Sequence, residues 1–141
     1  MAAPRAQPHI SLAVFETCDL QQLDRVVEGF SRTIPVQELF LSSIAVFPVQ
    51  RPTVYALPLV TRALLDLHRQ FHDALGDLAD ECHVYYRPDH WAPHLTLGTT
   101  DSLSEAMTLL DAACQANLRG HYCFDELAVV EYPPVNVVSR Y

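Results

Sequence analysis

The chain has 141 residues, half of them hydrophobic and 18% charged, which suits one ordinary domain or two small fused lobes and argues against disorder. The net charge is −8, and all nine basic residues are Arg. Such a chain is not built to grip long nucleic acid through a basic patch, although one or two Arg side chains can hold a small anion. The cysteines, Cys18, Cys82, Cys114 and Cys123, show no C-x-x-C spacing and follow no signal-peptide pattern. A reduced, cytoplasmic protein is expected. No apolar run approaches the ~20 residues of a membrane span, so no membrane partner is expected.

Residues 8–15, PHISLAVF, alternate as a strand, with His9 and Ser11 on one side and Ile10 and Leu12 on the other. Asp19 can cap a helix over about 20–32, whose apolar side is Leu20, Leu23, Val26, Val27 and Phe30. Residues 36–47 read as a strand ending at Pro48; a turn at 50–52 leads into TVYALPLV, a short strand. Thr61 can cap a helix over about 62–75, with Leu64, His68, Phe71 and Leu75 on one face. Residues 82–86 read as a strand, 87–93 as a loop and 93–99, PHLTLGT, as a strand. Ser102 and Glu105 form an S-x-x-E capping box for a helix over about 103–117. A final strand is expected over 121–132, stopped by Pro133 and Pro134. The class is α+β.

The informative feature is a repeat. PHISL aligns on PHLTL, with His9 over His94, Ser11 over Thr96 and Leu12 over Leu97, an offset of 94 − 9 = 85. The same offset carries Ile44 onto Val129, Phe47 onto Tyr132 and Pro48 onto Pro133, and the first helix onto the helix near 103–117. Strand, helix, strand and aromatic-Pro thus recur without a gap over about forty residues, the mark of an internal duplication. Lobe one is expected over about 8–50 and lobe two over about 53–135. The second copy is preceded by a strand and a helix that the first copy lacks. An open sheet edge in lobe one is expected, covered by the partner chain of a homodimer or by the C-terminal tail.

In a strand, residues i and i+2 share a face about 7 Å apart, so each His projects beside a hydroxyl. Two related lobes facing each other about a pseudo-twofold axis would bring both pairs into one cleft. Two imidazoles and two hydroxyls suit phosphodiester hydrolysis: a neutral His takes a proton from water, a protonated His gives one to the leaving oxygen, and the hydroxyls donate to phosphate oxygens. That chemistry needs neither metal nor cofactor.

His-x-Ser and His-x-Thr, each on a strand of a duplicated chain of this size, resemble the two-histidine phosphoesterase superfamily, in particular its bacterial 2′,5′ RNA ligase-like branch. PTVYALPLVTRALLDLHRQFHDAL and YYRPDHWAPHLTL resemble that branch too, and the likeness runs from Pro8 to about Pro133. The resemblance implies a bilobal, duplicated α+β fold, with two antiparallel-rich sheets around a central cleft and helices outside. It implies hydrolysis of 2′,3′-cyclic or 2′,5′-linked phosphodiesters, or processing of RNA ends. It maps catalysis onto His9 and His94 and phosphate binding onto Ser11 and Thr96, with His94 as base and His9 as acid. The first motif carries Ser where Thr is more common in the family.

Around the motifs, Tyr85, Tyr86 and Trp91 could stack a base, and Arg87 and, more remotely, Arg51 could hold a phosphate. The alternative for the aromatics is packing against the sheet. His68 and His72 have the i, i+4 spacing of a metal pair, but no Glu follows His68 as in a zincin, and His68 lies on the apolar stripe, so both read as structural. His83, His90 and His121 are scattered, and Asp111 and Gln115 belong to a solvated helix face. Two other functions fit the same composition: a non-catalytic nucleotide-binding module, and a zinc protein using some of the seven His and four Cys.

Overall fold

The computed structural model describes residues 7–141. Its three helices start where short polar side chains can take up free amides. Asp19 accepts from the Gln22 amide (3.0 Å) to open α1, Leu20–Ser31. Thr61 accepts from Leu64 (3.1 Å) to open α2, Arg62–Leu75, and Ser102 from Glu105 (3.2 Å) to open α3, Leu103–Gln115. The Glu105 carboxylate reaches back to the Asp101 amide (3.1 Å), so two orphan donors at one helix start are satisfied reciprocally. α2 stops at Gly76, at φ +56°, and α3 just before Asn117, at φ +50°. These are the residue types that enter the left-handed region at least cost.

The strands are antiparallel. β1 (Gln37–Phe47), β2 (Thr53–Pro58), β3 (Leu95–Thr99) and β4 (Gly120–Phe124) form a sheet of order β3-β2-β1-β4. β5 (Ala128–Glu131) and β6 (Asn136–Arg140) form a separate hairpin. β1, which follows the first motif in sequence, therefore lies in the same sheet as β3, which carries the second. α3 packs on β1 and β2, whereas α1 packs on α2 and β5.

Two hydrophobic clusters result. One gathers Val27, Phe30, Phe71, Leu75, Leu78 and Val129, with Leu12 and Phe15 against it. The other gathers Leu41, Ala56 and Leu95 beneath the four-stranded sheet, with Ile10 and Ile44 beside them.

Several expected elements differ. Residues 8–15 form no continuous strand: Ile10 bridges Leu95 and Phe15 bridges Cys82, with no ladder between. Residues 82–86 are not a strand; after the Cys82 bridge, Val84–Tyr86 form a 3-10 turn. The single strand expected over 121–132 is broken at 125–127 into β4 and β5, which belong to different sheets. Pro133 and Pro134 do not end the regular structure; they sit in the turn from which β6 returns.

The backbone of that tail pairs within the second half of the chain, with β5 and Leu127, and it touches the first half through side chains alone, so among the described residues it adds no strand to an edge of residues 8–50. Tyr141 and Leu127 exchange backbone hydrogen bonds (2.8 and 2.9 Å). The hydroxyls of Ser139 and Tyr141 donate to Asp24 of α1, and the Arg140 guanidinium donates to the Gln7 side chain (2.9 Å) and to Glu126 (2.7 Å). Among the described residues no helix is long and apolar enough to cross a membrane.

Candidate active site

The bridge between Ile10 and Leu95 is antiparallel, and it sets the geometry of both motifs. If 10 faces 95, then 9 faces 96 and 11 faces 94. Neighbouring residues on a strand alternate faces, so these four side chains share the face opposite Ile10 and Leu95. Ile10 and Leu95 go into the core beneath the sheet, which leaves His9, Ser11, His94 and Thr96 on the open side. His9 and His94 are then diagonal neighbours, a relation that spans about 7–8 Å in an antiparallel ladder. The bridged residues are separated by 95 − 10 = 85 positions, the offset of the repeat.

The two histidines are held alike. His9 Nδ1 lies 2.7 Å from the Gln7 carbonyl, and His94 Nδ1 lies 2.8 Å from the Ala92 carbonyl. A carbonyl oxygen only accepts, so Nδ1 carries the proton in both rings and the neutral form exposes an Nε2 lone pair. Once protonated, the same Nε2 becomes a donor. Each ring can therefore serve as base or acid through one atom, on a backbone tether that fixes its tautomer.

Their surroundings differ. His9 is exposed, while His94 is half-buried against aromatic rings. Phe47 and Tyr55 stack on each other (centroids 4.0 Å, interplanar 20°), and each presents its edge relation to His94 at 5.0 and 5.5 Å. Tyr86 stands 6.3 Å from the same imidazole, its hydroxyl pushed above the ordinary range by burial and then by Cys82. Tyr55 is placed by register, because it pairs with Thr96 on β3 and with Ala45 on β1. Neither Tyr55 nor Phe47 was anticipated from the sequence. Both lie in strands read correctly, but only the register, set by bulges in both ladders, brings them to His94.

The remaining anticipated contacts separate. Tyr86 is beside His94. Trp91 is buried and its indole N–H donates to the Ser11 carbonyl (3.0 Å), the packing alternative rather than an open stacking platform. Arg87 is turned to the backbone, donating to the Cys82 (2.8 Å) and Asp80 (2.7 Å) carbonyls. Arg51 pairs with Asp101 (3.1 Å), and Tyr85 is 70% exposed. His121 pairs with Glu38 (2.9 Å), away from the motifs on the β1–β4 ladder.

His68 and His72 are structural. Both are buried, and their Nε2 atoms each lie 3.0 Å from the Leu12 carbonyl, with His68 Nε2 also 3.0 Å from the Tyr86 carbonyl. Burial, and then the neighbouring His72, lower the His68 pKa to about 4, so it is neutral near pH 7. Among the described residues no group of three or more His, Cys, Asp or Glu is placed to hold a metal ion.

The fold is mixed α/β with antiparallel strands, and the Ile10–Leu95 bridge brings the two tethered histidine motifs side by side. The 2′-5′ RNA ligase superfamily model matches residues 1–135, and the chain belongs to that superfamily, the two-histidine phosphoesterases, whose general business is phosphoester chemistry. No curated protein matches the chain.

Proposed function

We propose that the protein hydrolyses a small phosphodiester, a 2′,3′-cyclic nucleotide or a 2′,5′-linked RNA end, with His9 and His94 as the catalytic pair and no metal in the reaction. The observation that supports this best is the antiparallel bridge between Ile10 and Leu95. It sets His9 with Thr96 and Ser11 with His94 on one face, and the matching Nδ1 tethers of the two rings favour equivalent ancestry for the two motifs. The same bridge joins positions 85 apart, which is the offset that relates His9 to His94 and Ser11 to Thr96 in the sequence. That shared offset supports a duplicated arrangement with the cleft between two lobes.

In this reading the phosphate sits over the bridge. Ser11 and Thr96 donate to its non-bridging oxygens from opposite corners. One imidazole accepts a proton from the attacking water through Nε2, while the other, protonated at Nε2, delivers a proton to the departing oxygen. Each transfer is worth on the order of 10²- to 10⁴-fold. The acidic balance of −8 favours a short substrate over long RNA.

The test is hydrolysis of 2′,3′-cyclic nucleotides and a 2′,5′-linked dinucleotide in EDTA, for wild type, His9→Ala and His94→Ala. Turnover that survives EDTA and falls at least ~100-fold in each variant is expected. Folded wild-type protein that binds nucleotide but turns over none of these substrates would replace this reading with a binding module.

A further inference from the structure

The backbone that carries the first motif is held by side chains. Between the bridges at Ile10 and Phe15 no strand of the described residues forms a ladder with it, yet the carbonyls of Ser11, Leu12 and Val14 are satisfied. The Trp91 indole N–H donates to the Ser11 carbonyl (3.0 Å). The Leu12 carbonyl faces two imidazoles, His72 Nε2 at 3.0 Å and His68 Nε2 at 3.0 Å, the latter N–H being shared with the Tyr86 carbonyl (3.0 Å). The Val14 carbonyl accepts from the His83 amide (2.8 Å). The three side-chain donors are themselves locked. His68 and Trp91 stack face to face, with centroids 3.9 Å apart and an interplanar angle of 3°, and His72 sits 4.5 Å from His68 one helical turn on. All three are buried.

We propose that His68, His72 and Trp91 are positioning residues for the first motif: they take the place of a neighbouring strand, hold the backbone at Ser11 and Leu12, and so set the height of His9 and Ser11 opposite the second motif. This rests on the phosphodiesterase reading of the His9–His94 face.

Packing alone does not account for the choice of residues. A buried imidazole pays a desolvation cost that Leu or Phe at the same helix positions would not, and His72 Nδ1 is left buried without a partner. What the pair supplies, and an apolar residue cannot, is an N–H aimed at a carbonyl that would otherwise be orphaned. The clamp bonds the backbone of the first motif directly, whereas it reaches the second only through the Tyr86 carbonyl, which His68 Nε2 also meets at 3.0 Å. The second motif begins β3 and has Tyr55 and Ala56 of β2 as ladder partners for Thr96 and Leu95.

The test uses four variants of the full chain. Trp91→Phe keeps a ring on His68 but loses the N–H. His68→Leu and His72→Leu remove a donor each, and His68→Gln keeps a side-chain N–H. Two readouts are taken: kcat and KM on a 2′,3′-cyclic nucleotide in EDTA, and the ring-nitrogen NMR signals of His9 and His94. Misplacing a catalytic group by about an ångström can cost up to ~100-fold. The clamp therefore predicts a kcat lower by roughly 10- to 100-fold in Trp91→Phe, His68→Leu and His72→Leu, with KM within about threefold. His68→Gln should recover most of the loss. The His9 signals should move in the first three variants while those of His94 stay. Unchanged kcat in folded Trp91→Phe and His68→Leu, or signals of both histidines moving alike, overturns the proposal. If wild type turns over no phosphodiester, the NMR comparison decides alone: a His9-selective change upholds the clamp while the hydrolytic reading fails.

Discussion

His68 should make the stability of this protein depend on pH between its ordinary value of 6.5 and its folded value of about 4. Its pKa falls from 6.5 to about 4 because burial, and next the adjacent His72, disfavour the imidazolium. Between those values the unfolded chain binds a proton that the folded chain refuses, so stability is complete above pH 6.5, declines as pH falls towards 4, and loses nothing further below that. The gap of 2.5 in pKa corresponds to about 3 kcal/mol in full, and the linkage relation places about 2 kcal/mol of it already lost at pH 5. Trp91 is the one tryptophan of the chain and lies flat on the His68 ring, which makes its fluorescence a direct probe. Urea unfolding followed at Trp91, at pH 7.5 and pH 5, gives the loss for wild type. The same pair of measurements on His68→Phe, which keeps the stack but cannot titrate, should show a loss smaller by about 2 kcal/mol. Absolute stability of the variant is not the criterion, since it also gives up the bonds to Leu12 and Tyr86. An identical pH 7.5-to-5 loss in both proteins would refute the reasoning.

Two further substitutions probe the frame around the site. Ser102→Ala removes the acceptor for the Glu105 amide and opens the reciprocal cap of α3; a loss of about 1 kcal/mol in urea unfolding is expected. Gly98→Ala would place a methyl 2.7 Å from Leu109 Cδ2, where α3 lies over the sheet. A leucine terminus can swing aside, so a cost of roughly 1 kcal/mol is expected, read as a lower Tm; no change in Tm would mean that α3 does not press on β3 at that point.

The local parts of this fold were legible because their causes are local. Asp19, Thr61 and Ser102 each stand before an apolar periodicity of 3.6, and each proves to be the cap it resembles. What could not be read has its cause far along the chain. The alternation of 8–15 announces a strand, but the donors for Ser11 and Leu12 come from Trp91, 80 residues on, and from His68 and His72, 56 and 60 residues on. The stretch 121–132 looks continuous until Asp125 and Glu126 break it, and nothing in its pattern says that the halves serve different sheets. Pro133 and Pro134 look like a terminator because proline stops a ladder. Proline equally makes the turn of a hairpin, and the VNVVSR that follows them is the returning strand. The motif histidines were visible through the repeat, whereas the aromatic wall of His94 depends on a register shifted by bulges at Leu41–Ser43 and Val54–Tyr55.

The division of labour between the histidines is where the near-symmetry of the site can be tested most sharply. Both rings present Nε2 from the same kind of tether, so the tether does not distinguish acid from base. Their surroundings do differ: His94 is wedged against Phe47 and Tyr55, while His9 is exposed. A base must orient a water molecule as well as accept its proton, and the ring held on several sides is better suited to that. An acid needs only to reach the leaving oxygen. We therefore expect His94 to serve as base and His9 as acid. A substrate whose leaving group departs unprotonated, such as a p-nitrophenyl phosphodiester, makes the acid dispensable and leaves the base essential. On that substrate His9→Ala should lose at least ~10-fold less activity than it does on a ribonucleotide, and His94→Ala should lose the same on both. The opposite pattern would reverse the assignment. Equal losses for both variants on both substrates would mean that proton delivery to the leaving oxygen does not limit the reaction, and the two rings would then matter chiefly for holding the phosphate over the bridge.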